Sequence, residues 1–228
     1  MTVHSRKLFR KVSARATTLN VALALVTLLF ASCFHREAVT NGDKGKQHDL
    51  ILGFSQIGAE NAWRNCNTRS VREAAQAAGV QLLFENAEQK QENQIKAIRS
   101  FIAYRVDVIA FVPIVADGWD NVLREAQSAG IPVLVTDRKI NTGDPSLYAG
   151  FIGTDSEQEG REAGRFMLRK FAGAKRKGPV RIAELAGTEG ASVTLGRAKG
   201  FREILAGAPN FKIVYSESGD FLRSRGYE

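Results

Sequence analysis

The chain has 228 residues, 44% of them hydrophobic and 25% charged, which is the balance of an ordinary globular protein with length enough for one or two cored domains. Its formal net charge of +8 invites a nucleic-acid partner, but Arg6, Lys7, Arg10, Lys11 and Arg15 supply five of those charges ahead of the first acidic residue. The remainder is mildly basic with both signs interspersed, the pattern of a solvated surface, so no nucleic-acid partner is expected.

An uncharged apolar run follows the basic start, over residues 19–30 (LNVALALVTLLF). It is too short to cross a bilayer as a helix and has the length of a signal-peptide core. The run ends in Phe30-Ala31-Ser32-Cys33. Small residues directly before a cysteine resemble the lipobox of bacterial lipoproteins, with Phe30 where Leu, Val or Ile is usual. Residues 1–33 are therefore read as a signal peptide and Cys33 as a lipidation site; cleavage near Ala31 or Ser32 with a soluble product is the alternative. Residues 34–49 are polar, contain glycine and lack periodicity, so they read as a flexible tether. With Cys33 lipidated or lost, Cys66 is the one remaining cysteine, and no intramolecular disulfide is expected.

A regular alternation starts at residue 50. Residues 50–54 form a short apolar run, and Val71, Ala74, Ala75 and Ala78 follow at helical spacing until Gly79. Residues 80–84 predict a second strand, and Ile95, Ile98 and Ile102 the next helix. Residues 106–112 predict a third strand, Trp119, Val122, Leu123 and Ala126 a third helix, and residues 131–135 a fourth strand. Strand runs that are apolar without alternation imply burial on both faces, and helices between them imply a parallel, doubly wound α/β sheet. The rhythm breaks at residues 139–150, as a crossing segment would. A second series then begins. Residues 150–153 read as a crossing strand, and Asp155 with Gln158 resembles a capping box. Ala163, Phe166 and Met167 mark a helix, residues 180–185 a strand, 193–205 a helix and 211–215 a strand. The expected organisation is thus a first α/β lobe over residues 50–140, then a hinge crossing and a partial second α/β lobe over 141–228. The second lobe reads as cut off within the beginning of a helix.

In an open parallel sheet, ligands bind beyond the C-terminal strand ends, where loops and helix N-termini converge. That restricts the search to residues 56–64, 113–119 and 136–138, with 187–197 and 216–223 in the second lobe. These loops are rich in Trp, Arg, Asp and Asn. Carboxylates and guanidinium groups bond hydroxyls strongly, and an aromatic ring covers an apolar ring face, so the composition suits a sugar. Asp137-Arg138 offers acceptors beside a fork of donors, with a simple turn ion pair as the alternative. Trp63-Arg64 offers a platform beside donors, with core packing of Trp63 as the alternative. Catalytic constellations are missing: the three histidines are His4, His35 and His48, all in the signal or tether. No phosphate-binding glycine loop, serine elbow or CxxC occurs. No enzymatic activity, cofactor or metal is expected.

The stretches 52–58 (LGFSQIG), Trp63-Arg64, 89–101 (QKQENQIKAIRSF), Gly118-Trp119, Asp137-Arg138, 184–187 with 190–193, and 218–221 (SGDF) together resemble the periplasmic substrate-binding proteins of sugar ABC importers. The ribose-binding type, and within it the galactofuranose-binding branch, is the nearest likeness, over residues 50–228. The resemblance implies a type I periplasmic-binding-protein fold whose two lobes close around a monosaccharide, galactofuranose or a similar aldose. It also implies delivery to a membrane permease and its ATPase, by a monomer on the extracytoplasmic side of a membrane. The sugar-binding positions it implies are Glu60, Trp63, Arg64, Asp137, Arg138, Arg197 and Phe221. It makes the 89–101 run scaffold or transporter-facing surface. Family members continue for roughly another hundred residues, so the chain reads as C-terminally truncated and unable to bind alone. Rival readings are an exported sugar receptor serving a sensor, and the ligand-binding domain of a repressor. A repressor needs a helix-turn-helix ahead of the core, where this chain carries a signal sequence.

Overall fold

In the computed structural model, which describes residues 50–59, 61–173 and 178–227, strands and helices alternate from the first residue onward. The order is β1 (Ile51–Gln56), α1 (Ala62–Ala77), β2 (Gln81–Asn86), α2 (Gln91–Tyr104), β3 (Val108–Phe111), α3 (Asp120–Ser128) and β4 (Val133–Asp137). A one-turn 3-10 helix (Pro145–Leu147) leads to β5 (Gly150–Gly153), α4 (Ser156–Phe171), β6 (Val180–Ala186), α5 (Ser192–Leu205) and β7 (Phe211–Ser218). The signal peptide, tether, Cys33 and Glu60 read from the sequence lie outside the described residues. No described helix is long and apolar enough to cross a membrane.

The first five strands form one parallel sheet in the order β2-β1-β3-β4-β5. Because β1 lies between β2 and β3, the connections leave it in both directions and helices cover both faces. Strand β3 shows the consequence residue by residue. Ile109 and Phe111 join one core with Ile98, Phe101, Trp119, Val122 and Leu123, while Ala110 and Val112 join another with Phe54, Ile57 and Ile114. Burying a side chain of this size contributes about 1.5–3 kcal/mol, and the alternation of a strand delivers it to both layers. Trp119 is fully enclosed; its ring lies 4.8 Å from that of Phe111, and its Nε1–H reaches the Val115 carbonyl at 2.9 Å. That bond satisfies the one polar atom such a ring would otherwise strand.

Burial on both faces holds for β3 but not for every strand. Edge strand β2 exposes Gln81, Glu85 and Asn86. β6 and β7 form a separate parallel pair that keeps Arg181, Lys212 and Glu217 exposed along with Leu185, Val214 and Tyr215. Charged side chains at intervals along these strands do not tolerate a dry layer on both sides.

Helices α4 and α5 lie together through glycine. A Cβ on Gly160 would run into the Arg197 carbonyl, and one on Gly200 into the Glu157 carbonyl, so backbone meets backbone. α4 opens on Asp155, whose Oδ1 accepts the Gln158 N–H at 3.0 Å. The reciprocal half of the predicted capping box is absent, because the Gln158 side chain donates forward to Glu162 Oε1 at 2.7 Å and accepts from Arg161 Nε at 3.0 Å.

Candidate functional site

The C-terminal ends of β1 and β4 open onto a cleft of about 580 Å³ whose other wall comes from the start of α4, the start of α5 and the turn after β7. Trp63, Arg64, Asp137, Arg138, Arg197 and Phe221 all line it, so the structure brings six of the seven sequence-predicted positions to one place. The seventh, Glu60, lies outside the described residues.

Each group is set by a local cause. Asn61 has extended backbone and caps α1, its Oδ1 accepting the Arg64 N–H at 2.8 Å. This fixes the first turn, from which Trp63 and Arg64 project. Gln56, fully buried at the end of β1, ties α1 to the strand: its Nε2 donates to Asn67 Oδ1 at 2.9 Å and Thr68 Oγ1 at 3.1 Å. Trp63 is 57% exposed, so the alternative of core packing does not hold; the Arg64 guanidinium lies 4.6 Å from its ring centroid. Asp137 ends β4 with a left-handed φ of 64°, a conformation that is strained for a residue with a side chain and often marks a functional position. Its Oδ2 accepts from Arg64 Nη2 at 3.0 Å. The salt bridge therefore joins the first turn of α1 to the end of β4, and the alternative of an Asp137-Arg138 turn pair is not what forms.

Arg138 turns inward. It is 4% exposed, its Nη1 donates to the Ile114 carbonyl at 2.8 Å, and its guanidinium lies 5.1 Å from the Phe221 ring centroid. Phe221 packs over Gly187, where any Cβ would occupy the space of the ring. Burial first, then the Arg64 charge and more weakly that of Arg197, lower the Arg138 pKa against the opposing charge of Asp137, to about 10 in all. At neutral pH the group stays charged. Two buried nitrogens, Arg64 Nη1 and Arg138 Nε, have no hydrogen-bond partner among the described residues. A buried donor without a partner costs roughly 1–3 kcal/mol, more when charged, so two of them on the wall of one cleft point to a ligand that supplies acceptors.

On the opposite wall Arg197 is held by Glu159, Nε to Oε2 at 2.8 Å. Asn61 Nδ2 bridges the cleft to the Phe221 carbonyl at 3.2 Å. Of the other lining residues, Ile57, Asn61, Ala62 and Val193 fall inside the loops the sequence marks out without being singled out, and Gln89, Thr154 and Glu159 lie outside those loops. Asn61 was findable, because an Asn just before a helix is an N-cap signal. Glu159 was not, because only the α4–α5 packing brings it to Arg197. No group of three or more His, Cys, Asp or Glu that would hold a metal occurs among the described residues.

Residues 52–227 match the periplasmic binding protein domain family. The chain is 46% identical over 179 residues to the galactofuranose-binding protein YtfQ of Escherichia coli, covering 78% of this chain and 55% of that protein. It superposes with a TM-score of 0.75 on a crystal structure from Mycobacterium smegmatis in complex with β-D-fucofuranose, at 52% identity, covering 78% of this chain and 58% of that one. A third likeness, with a TM-score of 0.73 at 45% identity, is to the periplasmic binding protein component of the arabinose ABC transporter from a Shewanella species, bound to α- and β-L-arabinofuranose; it covers 78% of this chain and 57% of that one. The chain thus spans a little over half the length of each of these proteins.

Proposed function

Because the chain belongs to the periplasmic binding protein family, we propose that its cleft captures a monosaccharide in the furanose form and delivers it to an ABC importer. The observation that carries this reading is the pair of buried arginines, each with an unpartnered nitrogen, lining the same cleft as the exposed Trp63 ring. Arg64 and Arg138 donate to hydroxyl oxygens, Asp137 keeps acceptor capacity for a hydroxyl hydrogen, and Trp63 and Phe221 cover the apolar face of the ring. Arg197, and Glu60 as the family resemblance implies, complete the set. The role in this reading is capture without catalysis. The furanose preference is supported by relatives at 45–52% identity named for or bound to galactofuranose, fucofuranose and arabinofuranose.

The partners in this reading are a membrane permease and its ATPase, met by a monomer on the extracytoplasmic side. Residues 1–33 serve as the export leader and Cys33 as the acylated residue. Intact mass of the membrane and soluble fractions tests that part: an uncleaved cytoplasmic product removes the export claim, and a cleaved product without lipid removes only the anchor.

Thermal shift on the full-length protein tests the ligand. L-Arabinose, D-galactose and D-fucose, each with some furanose at equilibrium, should raise the melting temperature, whereas D-glucose, with far less furanose, should not. A ligand at a hundred times its Kd stabilises by ~2.7 kcal/mol, well within reach of the assay. Equal shifts with D-glucose overturn the furanose preference, and no shift with any sugar overturns the function.

A further inference from the structure

Gln94 lies on α2 among Ala97, Ile98 and Phe101, and is 0% exposed. A carboxamide in such a place is costly unless both its ends are bonded. Both are. Its Nε2 donates to the Val112 carbonyl at 2.7 Å, and its Oε1 accepts the Ile114 N–H at 3.0 Å. These two backbone groups flank Pro113 in the loop that leaves β3; the Val112 N–H still donates to the Ser55 carbonyl of β1 at 3.1 Å, and past that bond Gln94 is what takes up the Ile114 N–H. The same loop presents the Ile114 carbonyl, which accepts from Arg138 Nη1 at 2.8 Å. Four groups therefore stand in series: amide, loop, carbonyl and guanidinium. An apolar side chain of similar size would fill the same space under the sheet but could not hold the loop.

We propose that Gln94 is a positioning residue of the cleft: its amide fixes residues 112–114, so that the Ile114 carbonyl orients Arg138 and leaves Nε for the ligand. This rests on the reading of the cleft as a sugar site. It gives the polar run at residues 89–101 an internal task, distinct from that of a surface presented to a transporter.

The test is calorimetry with L-arabinose on the full-length protein, or ligand-observed NMR where binding is weak, for Gln94→Met, Gln94→Glu and Arg138→Ala alone and combined. Gln94→Met should weaken binding about tenfold and add nothing further in the Arg138→Ala background. In Gln94→Glu, burial holds the new carboxyl above its ordinary range, and the neutral acid both donates and accepts as the amide does. That variant should bind nearly as well as the native protein at pH 5.5 and lose affinity as the pH rises and the carboxylate forms. The pH dependence should vanish when Arg138 is removed. Native affinity in Gln94→Met, or equal losses with and without Arg138, overturns the proposal. Should Gln94→Met fail to fold by circular dichroism, Gln94→Glu decides alone: a loss that does not depend on pH, or one that appears only where the protein unfolds, overturns it. Native affinity in Arg138→Ala alone would bring down the sugar reading itself, a result distinguishable from failure at Gln94.

Discussion

Arg138 is charged, buried and incompletely bonded, a combination that works against folding and in favour of binding. Its depressed pKa of about 10 fixes the sign of a pH effect. Below that value both the folded and the unfolded chain carry the proton, and desolvation of the charge counts against the fold. As the pH rises above it, the folded form releases the proton first, and the penalty is relieved on the way to the unfolded value. Sugar affinity should therefore stay flat from pH 6 to 9, and a titrating step in that window by calorimetry would implicate another group. Arg138→Met should lose at least tenfold in affinity and yet raise the melting temperature of the sugar-free protein, since apolar replacements of buried charges often stabilise by about 1 kcal/mol or more. A lower melting temperature would show that the bond to Ile114 outweighs the desolvation. Asp137→Ala should move both quantities down, because it strands the buried Arg64 charge. The adjacency of Asp137 and Arg138 was legible in the sequence, and so was their place at a strand end. Their partners were not: Arg64 lies 73 residues from Asp137, and no local pattern encodes a contact of that separation.

Helix and strand types were legible because their signals are local, with apolar spacing inside each element and Gly or Pro at its end. Strand faces were less so, since exposure of β2, β6 and β7 depends on which neighbours arrive. The start of α4 was readable from Asp155, but only half of the reciprocal cap forms. That carboxylate is held below its ordinary value of 3.8, first by the Gln158 N–H, so the cap contributes above pH 4 and fades as the pH falls through the lowered value. Asp155→Ala should accordingly lower the melting temperature at pH 7 and converge with the native protein near pH 2; equal melts at both pH values would show the cap to be without effect. The glycines of α4 and α5 were visible in the sequence, but hydrophobic periodicity gives no weight to a residue without a side chain. Gly160→Leu should destabilise by about 1–3 kcal/mol, as overpacking does, measured by urea denaturation. An unchanged midpoint would mean that the helices part freely.

At the scale of the molecule, three hydrogen bonds join the two sides: Asn61 to the Phe221 carbonyl at 3.2 Å across the cleft and, beyond its lining, the Ala116 N–H to the Gly190 carbonyl at 2.9 Å and the Lys139 N–H to Ser192 Oγ at 2.8 Å. A ligand favours a closed cleft only to the extent that it binds that form more tightly, and such contacts set how much help it needs. Asn61→Ser keeps an N-cap acceptor for α1 and removes the donor to Phe221, so sugar dissociation should speed up a few-fold by stopped flow with helix content unchanged. An unaltered off-rate would show that the bridge carries no weight. Two α/β lobes were legible from the rhythm of the sequence and a cleft between them from the family resemblance, whereas these bridges come from turns whose backbone angles the sequence does not specify, such as the left-handed Asp220 and Phe221. The glycine contact between α4 and α5 reaches into this cleft as well. Glu159 and Arg197 flank Gly160 and Gly196, and the Arg197 carbonyl itself lies against Gly160. With no side chains between the two backbones to repack, a larger sugar cannot be accommodated by loosening that wall. An evolving or engineered change of sugar would have to be drafted on the other side, at Trp63 and its neighbours, where exposure leaves room for trial.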